Sequence, residues 1–153
     1  MYTIIFDWKR TLYDPDSKML IEGTLQLLKF LKQKNTELIL IGKGGDDMNQ
    51  EVKRLKIQEY FSEVIFQEGK KDKTIFDAFV SKKNPQSTII IGDRVRSELE
   101  IGNLLKTITI WVRQGKFSEE KPLNEVQEPS FTVASILELL EYFQKKFKWQ
   151  IFA

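Results

Sequence analysis

The sequence predicts a three-layer α/β fold, a parallel sheet of about five strands between helices, and three observations carry that prediction. Five short apolar runs (2–6, 37–41, 64–66, 88–91 and 107–112) alternate with stretches of helical periodicity. The runs are apolar on both faces, as strands covered by helices on two sides must be. Two of them run straight into an aspartate, Asp7 and Asp93, at the carboxyl edge where such sheets place their ligands.

Taken in order, Tyr2–Phe6 is the first strand, and residues 13–20 (YDPDSKML) read as a loop or small flap over its end. From Ile21 to Lys34 apolar residues at 25, 27, 28, 30 and 31 predict an amphipathic helix that stops at Asn35. Glu37–Ile41 is the second strand, and Gly44 and Gly45 allow a tight turn. Asp46 or Asp47 then caps a helix reaching about Leu55, with Met48, Val52 and Leu55 on one face. Tyr60 and Phe61 anchor a connection to Val64–Phe66, the third strand. The charged loop 67–73 leads into a helix over about 73–82 with Ile75, Phe76, Phe79 and Val80 inward, and Pro85 interrupts the chain. Thr88–Ile91 is the fourth strand, Ser97–Leu105 a helix, and Thr107–Val112 the fifth strand. A loop over 113–130 precedes a last helix from Ser135 to about 147, with Ser135 and Glu138 as a capping box. The tail KKFKWQIFA sets Phe147, Trp149, Ile151 and Phe152 among lysines. It either packs on the body or offers a surface for a partner or a homodimer.

The chain of 153 residues suits one domain, 1–153. With 41% hydrophobic and 30% charged residues it is globular in composition. Its net charge of +2 gives no electrostatic signature of nucleic-acid binding. It has no cysteine and no histidine, so disulfides, thiolate sites, Ser-His and Cys-His catalysis and ordinary zinc centres are excluded. Chemistry falls to carboxylates, Lys, Arg, hydroxyls and a hard cation. No apolar stretch is long enough to span a membrane, and no leader pattern opens the chain, so a cytoplasmic location is the expectation.

A single aspartate after a strand is ordinarily a helix cap or turn residue. Two of them, each ending a parallel strand, can converge on one cation if the strands are neighbours. Carboxylate and water oxygens suit Mg²⁺, which leaves room for a phosphate.

The stretch YTIIFDWKRTLYD resembles motif I of the haloacid dehalogenase-like (HAD) superfamily of phosphohydrolases, an apolar strand followed by DxDx(T/V). IIIGDRVRSELE resembles motif IV, with Asp93 and, five residues on, Glu98. EGKKDKTIFDAF is similar to motif III, and Gly42-Lys43 occupies the place of motif II. The resemblance covers about residues 2–142 and implies a Rossmann-like, HAD-like fold without a cap domain. It implies Asp7 as the nucleophile that forms an aspartyl phosphate, and Lys70 as the motif III cation, with Lys71 and Lys73 as competitors. It also implies Mg²⁺ held by Asp7, the Lys9 carbonyl, Asp93 and Glu98, and phosphate held by Gly42, Lys43 and Lys70, with main-chain amides of 42–44 as a cradle. A cap-free site suits a phosphorylated substrate of macromolecular size.

Two departures bear on activity. Lys9 stands where the family places its general acid/base aspartate, and Gly42 where it places a hydroxyl. The expected function is therefore a Mg²⁺-dependent phosphatase of reduced activity, and the alternative is a catalytically silent HAD-fold protein that binds a phosphorylated ligand or a partner. Lys9 could bind phosphate, or pair with Asp7 in the metal's place. A phospho-acceptor module of the response-regulator type is disfavoured, because its acceptor Asp belongs after the third strand, which here ends in Gln67. Trp8 resembles the Asp-Trp pair of phosphonatase-type members, which need a cap-domain lysine that this chain has no room for.

Overall fold

The computed structural model of the protein describes residues 1–148. Eight strands and five α-helices follow one another: β1 (Tyr2–Phe6), β2 (Tyr13–Asp14), β3 (Met19–Leu20), α1 (Thr24–Lys32), β4 (Thr36–Lys43), α2 (Asp46–Arg54), β5 (Glu63–Gln67), α3 (Lys73–Val80), β6 (Thr88–Gly92), α4 (Glu98–Leu104), β7 (Ile108–Val112), β8 (Phe131–Val133) and α5 (Ile136–Lys146). Six strands form one parallel sheet in the order β5-β4-β1-β6-β7-β8. The sheet is one strand larger than the sequence predicted. The added edge strand β8 has three residues, two of them exposed, so it carries no apolar run to read.

The sheet is buried on both faces because its apolar residues alternate between two cores. Ile4, Phe6, Leu38, Leu40, Ile89 and Ile91 pack with Leu27, Leu28 and Leu31 of α1, Val52 of α2, and Ile136, Leu139 and Phe143 of α5. Ile5, Ile39, Ile41 and Ile90 pack with Phe76 and Val80 of α3 and Leu99 and Ile101 of α4. This is the α/β/α layering, and each such side chain withdrawn from water contributes about 1.5–3 kcal/mol. The α5 N-terminus closes as a capping box: Ser135 Oγ accepts from the Glu138 amide (3.1 Å) and Glu138 Oε2 accepts from the Ala134 amide (2.8 Å).

Topology positions the site. From β1 the chain builds outward through β4 and β5, then returns to the other side of β1 for β6, β7 and β8. The order reverses between β1 and β6, and a crevice opens at the carboxyl ends of these two strands. The register is Thr3–Phe6 against Thr88–Ile91, and the Asp7 amide donates to the Ile91 carbonyl (3.0 Å), so the two strands end side by side.

The predicted flap is a two-strand hairpin, β2 pairing with β3. Between β4 and β5 lie only α2 and a short 3₁₀ turn. Among the described residues no cap domain is present and no helix is long and apolar enough to cross a membrane. Of the aromatic tail, Phe147 is described and buried, stacked on Phe143 (centroids 5.6 Å apart) and edge-on to Tyr2 (5.5 Å). Trp149, Ile151 and Phe152 lie outside the described residues. Replacing Phe147 by Ala is expected to cost ~3 kcal/mol of stability, read as a lower urea midpoint at unchanged slope.

Candidate active site

Asp7, Asp93 and Glu98 each present a carboxylate oxygen within 4.8 Å of the others, and all three residues are buried. Asp7 is carried by the end of β1 and Asp93 by the turn after β6. Glu98 reaches in from the first turn of α4. Gly92 makes that reach possible: a Cβ there would stand 2.0 Å from Glu98 Oε1. The turn is held by the Trp111 indole N–H, which donates to the Asp93 carbonyl (2.9 Å), and by the Arg94 amide, which donates to Glu98 Oε1 (3.2 Å). Thr11 spans the two strand ends, its hydroxyl 2.9 Å from Asp7 Oδ2 and 3.5 Å from Asp93 Oδ1.

Three acids cannot share so small a buried volume without cations. Lys71 supplies one: its ammonium contacts Asp7 and lies 3.3 Å from Glu98 Oε2, with only 8% of its side chain exposed. Burial works against both charges of the Lys71–Asp7 pair. The Asp7 and Glu98 charges nonetheless hold the Lys71 pKa above its ordinary value. The Lys71 charge, with hydrogen bonds from Asp93, Lys71 and Thr11, outweighs burial and keeps Asp7 below the usual carboxylate range. The compensation does not extend to the other acids. Burial, then the Asp7 and Glu98 charges, pushes Asp93 up to about 9. Burial and the Asp7 charge likewise raise Glu98.

Asp93 Oδ2 is buried and has no donor in the protein. A buried oxygen without a partner, next to the ionised Asp7 and to Glu98 of raised proton affinity, is the donor set that a hard divalent cation satisfies. Asp7, Asp93 and Glu98 therefore fit Mg²⁺.

A cavity of about 390 Å³ opens over these acids. Lys9, Arg10, Lys43, Lys70, Arg94, Arg96 and Phe117 line it. Arg94 is held in place, its guanidinium paired with Glu120 (2.8 Å) and set over the Phe117 ring (4.2 Å).

The structure corrects three expectations. Lys71, not Lys70, meets Asp7, because Asp72 caps α3 through the Thr74 amide (2.9 Å) and fixes the residue before it inward, while Lys70 stays exposed on the cavity wall. Of the two roles open to Lys9, the pairing with Asp7 is not formed; Lys9 lines the cavity, and the cation on Asp7 is Lys71. Gly42 does not line the cavity. It is a packing position, where a Cβ would come 2.6 Å from the Phe66 ring and 2.7 Å from Trp8 Cβ. Of the amides of 42–44, that of Gly44 donates to the Gln67 carbonyl (3.0 Å). Lys43 does reach the cavity. Arg10 was not singled out by the sequence; its signal is only its place between Asp7 and Thr11.

Residues 67–139 match the HAD-hydrolase-like family model. The chain is 28% identical over 94 residues to glyceraldehyde 3-phosphate phosphatase of Methanopyrus kandleri, across 58% of this chain and 40% of that protein, so it spans well under half of that relative. Its fold is similar to D,D-heptose 1,7-bisphosphate phosphatase of B. bronchiseptica complexed with magnesium and phosphate, at a TM-score of 0.75 and 15% identity over 95% of this chain and 99% of that one. It is also similar to the HAD-hydrolase YfnB of Bacillus subtilis bound to magnesium, at a TM-score of 0.67 and 20% identity over 82% of this chain and 56% of that one.

Two outcomes test this geometry. In metal-free protein Lys71→Met leaves Asp7 and Glu98 uncompensated and costs ~3 kcal/mol, whereas Lys70→Met stays within ~0.5 kcal/mol, both measured by urea unfolding. Asp93 keeps its proton in the folded state to about pH 9 but not in the unfolded state, whose carboxyl titrates near its ordinary 3.8. Its contribution is full below pH 3.8 and is lost as pH rises toward 9. Asp93→Asn should therefore match the native chain in acid and exceed its melting temperature at pH 8–9 in EDTA.

Proposed function

Taking the chain as a haloacid dehalogenase-like protein, in fold and in the sequence of its second half, we propose that residues 1–153 act as one domain and hydrolyse a phosphate monoester. The observation that supports this reading is the buried trio Asp7, Asp93 and Glu98 at adjacent strand ends, under a cavity walled by cations. The relative that acts on glyceraldehyde 3-phosphate and the structural neighbour that acts on a heptose bisphosphate favour a phosphorylated substrate.

Asp7 is the nucleophile. It is ionised, and its carboxylate is oriented by Thr11 at Oδ2 and by Lys71 at Oδ1. Attack forms an oxygen–phosphorus bond, breaks the bond from phosphorus to the leaving oxygen, and leaves an aspartyl phosphate. Asp7, the Lys9 main-chain carbonyl, Asp93 and Glu98 would hold Mg²⁺, which when bound supplies neutralising charge to the phosphoryl oxygens. Lys71 offsets the charge of Asp7, and Lys43 and Lys70 stand in the cavity to meet phosphate oxygens.

Lys9 sets the rate. No carboxylic acid stands two residues after Asp7, so the leaving oxygen takes its proton from water. In the second step the attacking water gives its proton to solvent, phosphate leaves and Asp7 is restored. General acid–base help of this kind is worth roughly 10²–10⁴-fold. Activity is therefore reduced, most for alkyl phosphates with poor leaving groups. The same residue favours a second reading, a protein that holds a phosphorylated ligand without turning it over.

Hydrolysis of p-nitrophenyl phosphate is the test. It is expected to be slow, to stop in EDTA and return with Mg²⁺, and to vanish in Asp7→Asn. Lys9→Asp should raise kcat by on the order of 10²-fold. Phosphate binding with no turnover in either the native chain or Lys9→Asp would select the second reading.

A further inference from the structure

We propose that the substrate is a phosphate ester of a phenol, and that Phe117 is the residue that receives its aromatic ring. This inference rests on the phosphate-site reading above and deepens it by naming the class of leaving group.

The chemistry at the acidic floor narrows the choice. With Lys9 in place of an acid, the oxygen that leaves phosphorus departs with its electron pair and takes its proton from water. A phenolate tolerates this, because a phenol ionises at about pH 10. An alkanol is nearly as weak an acid as water, so its alkoxide leaves poorly without a proton donor. As the carboxylate of Asp7 forms its bond to phosphorus, the bond that breaks most readily is therefore one to a phenolic oxygen.

The cavity wall points the same way. Among the described residues Phe117 is the sole apolar side chain that lines the cavity; the other lining residues are charged, apart from Gly69 and Ser97. Its ring is half-buried, so part of it stays open to a ligand. Its place is fixed from several sides. The Arg94 guanidinium lies over the ring (4.2 Å) and is itself paired with Glu120 (2.8 Å). The Arg96 amide donates to the second Glu120 oxygen (3.1 Å), Arg96 Nε to the Lys121 carbonyl (2.8 Å) and Arg113 Nε to the Ser118 carbonyl (2.6 Å). Gln114, three residues before Phe117, donates from Nε2 to the carbonyls of Arg10 and Thr11 (3.2 Å each), which ties this segment to the turn after Asp7. A ring held in this way gives up little freedom when a ligand binds. It has no hydrogen-bonding group, so what it offers is contact with an apolar surface, best with a second ring. Either observation alone leaves the class open, since a good leaving group need not be a ring and a ring can be joined through an alkyl oxygen. A phenol satisfies both.

Binding of carbon–phosphorus analogues, which the chain cannot hydrolyse, separates the ring from the leaving-group chemistry. Calorimetry on the full chain in Mg²⁺ compares benzylphosphonate, which is phenyl phosphate with carbon in place of the bridging oxygen, with ethylphosphonate. Benzylphosphonate should bind about fivefold more tightly, the worth of one aromatic contact. Phe117→Ala should bring the ratio close to one with ethylphosphonate affinity unchanged, which also shows that the variant is folded. Phe117→Tyr keeps the ring and should keep the ratio. Equal affinities in the native chain, or a ratio that survives Phe117→Ala, would overturn the inference and leave the phosphate site standing. Binding of neither ligand to the native chain would overturn the phosphate-site reading with it.

Discussion

The site depends on one buried ammonium. Without Lys71, three buried carboxylates within 4.8 Å would have to be accommodated at the floor of the cavity with no cation among them. With it, one acid stays charged and the other two are held at raised proton affinity, so the trio is a set of acids that differ in readiness rather than three equal ones. That inequality is chemically useful. The group with the lowered pKa is the one at the end of the central strand, which must be ionised to act as a nucleophile. The groups with raised pKa would release their protons to solvent as a cation binds. Desolvation, which would ordinarily forbid such a cluster, here creates the demand for metal.

Rigidity around the trio comes from neighbours that touch no ligand. Trp111 fixes the Asp93 main chain, Thr11 ties both strand ends together, and Gly92 keeps clear the space that Glu98 fills. Arg94, which might have been counted as a free substrate contact, is committed to Glu120 and Phe117 and braces the segment over 115–120 against the β6–α4 turn. Lys9 and Arg10 of the β1 turn, Lys43 at the end of β4 and Lys70 of the loop before α3 line the walls. The cavity thus has a fixed acidic floor and basic walls.

Much of this was legible in the sequence. Continuous apolar runs gave the strands, and the aspartates that follow two of them gave the meeting point, because the distance between strand ends is dictated by topology and not by side-chain detail. Edge strand β8 was not legible, since three residues of which only Val133 is buried carry no periodic signal. The choice between Lys70 and Lys71 was out of reach for a different reason. Which of two adjacent lysines turns inward depends on where α3 starts, and that rests on a cap by Asp72 whose geometry the sequence only suggests. Gly42 reads as a turn or an anion cradle when taken alone; only the Trp8 and Phe66 side chains pressed against it reveal a packing constraint.

The placement of β1 at the middle of the sheet has a consequence for how the molecule comes into being. The strand made first is the one whose two neighbours are made at different times: β4 within about the next forty residues, β6 only after residue 88. A growing chain therefore carries one side of this apolar strand bare while β4, α2, β5 and α3 are still being synthesised. The half that emerges early can build a small sheet but holds one acid of the three. Only when the return strand docks do the bare edge and the incomplete site disappear together, so assembly of the reactive cluster coincides with removal of the surface most prone to aggregate.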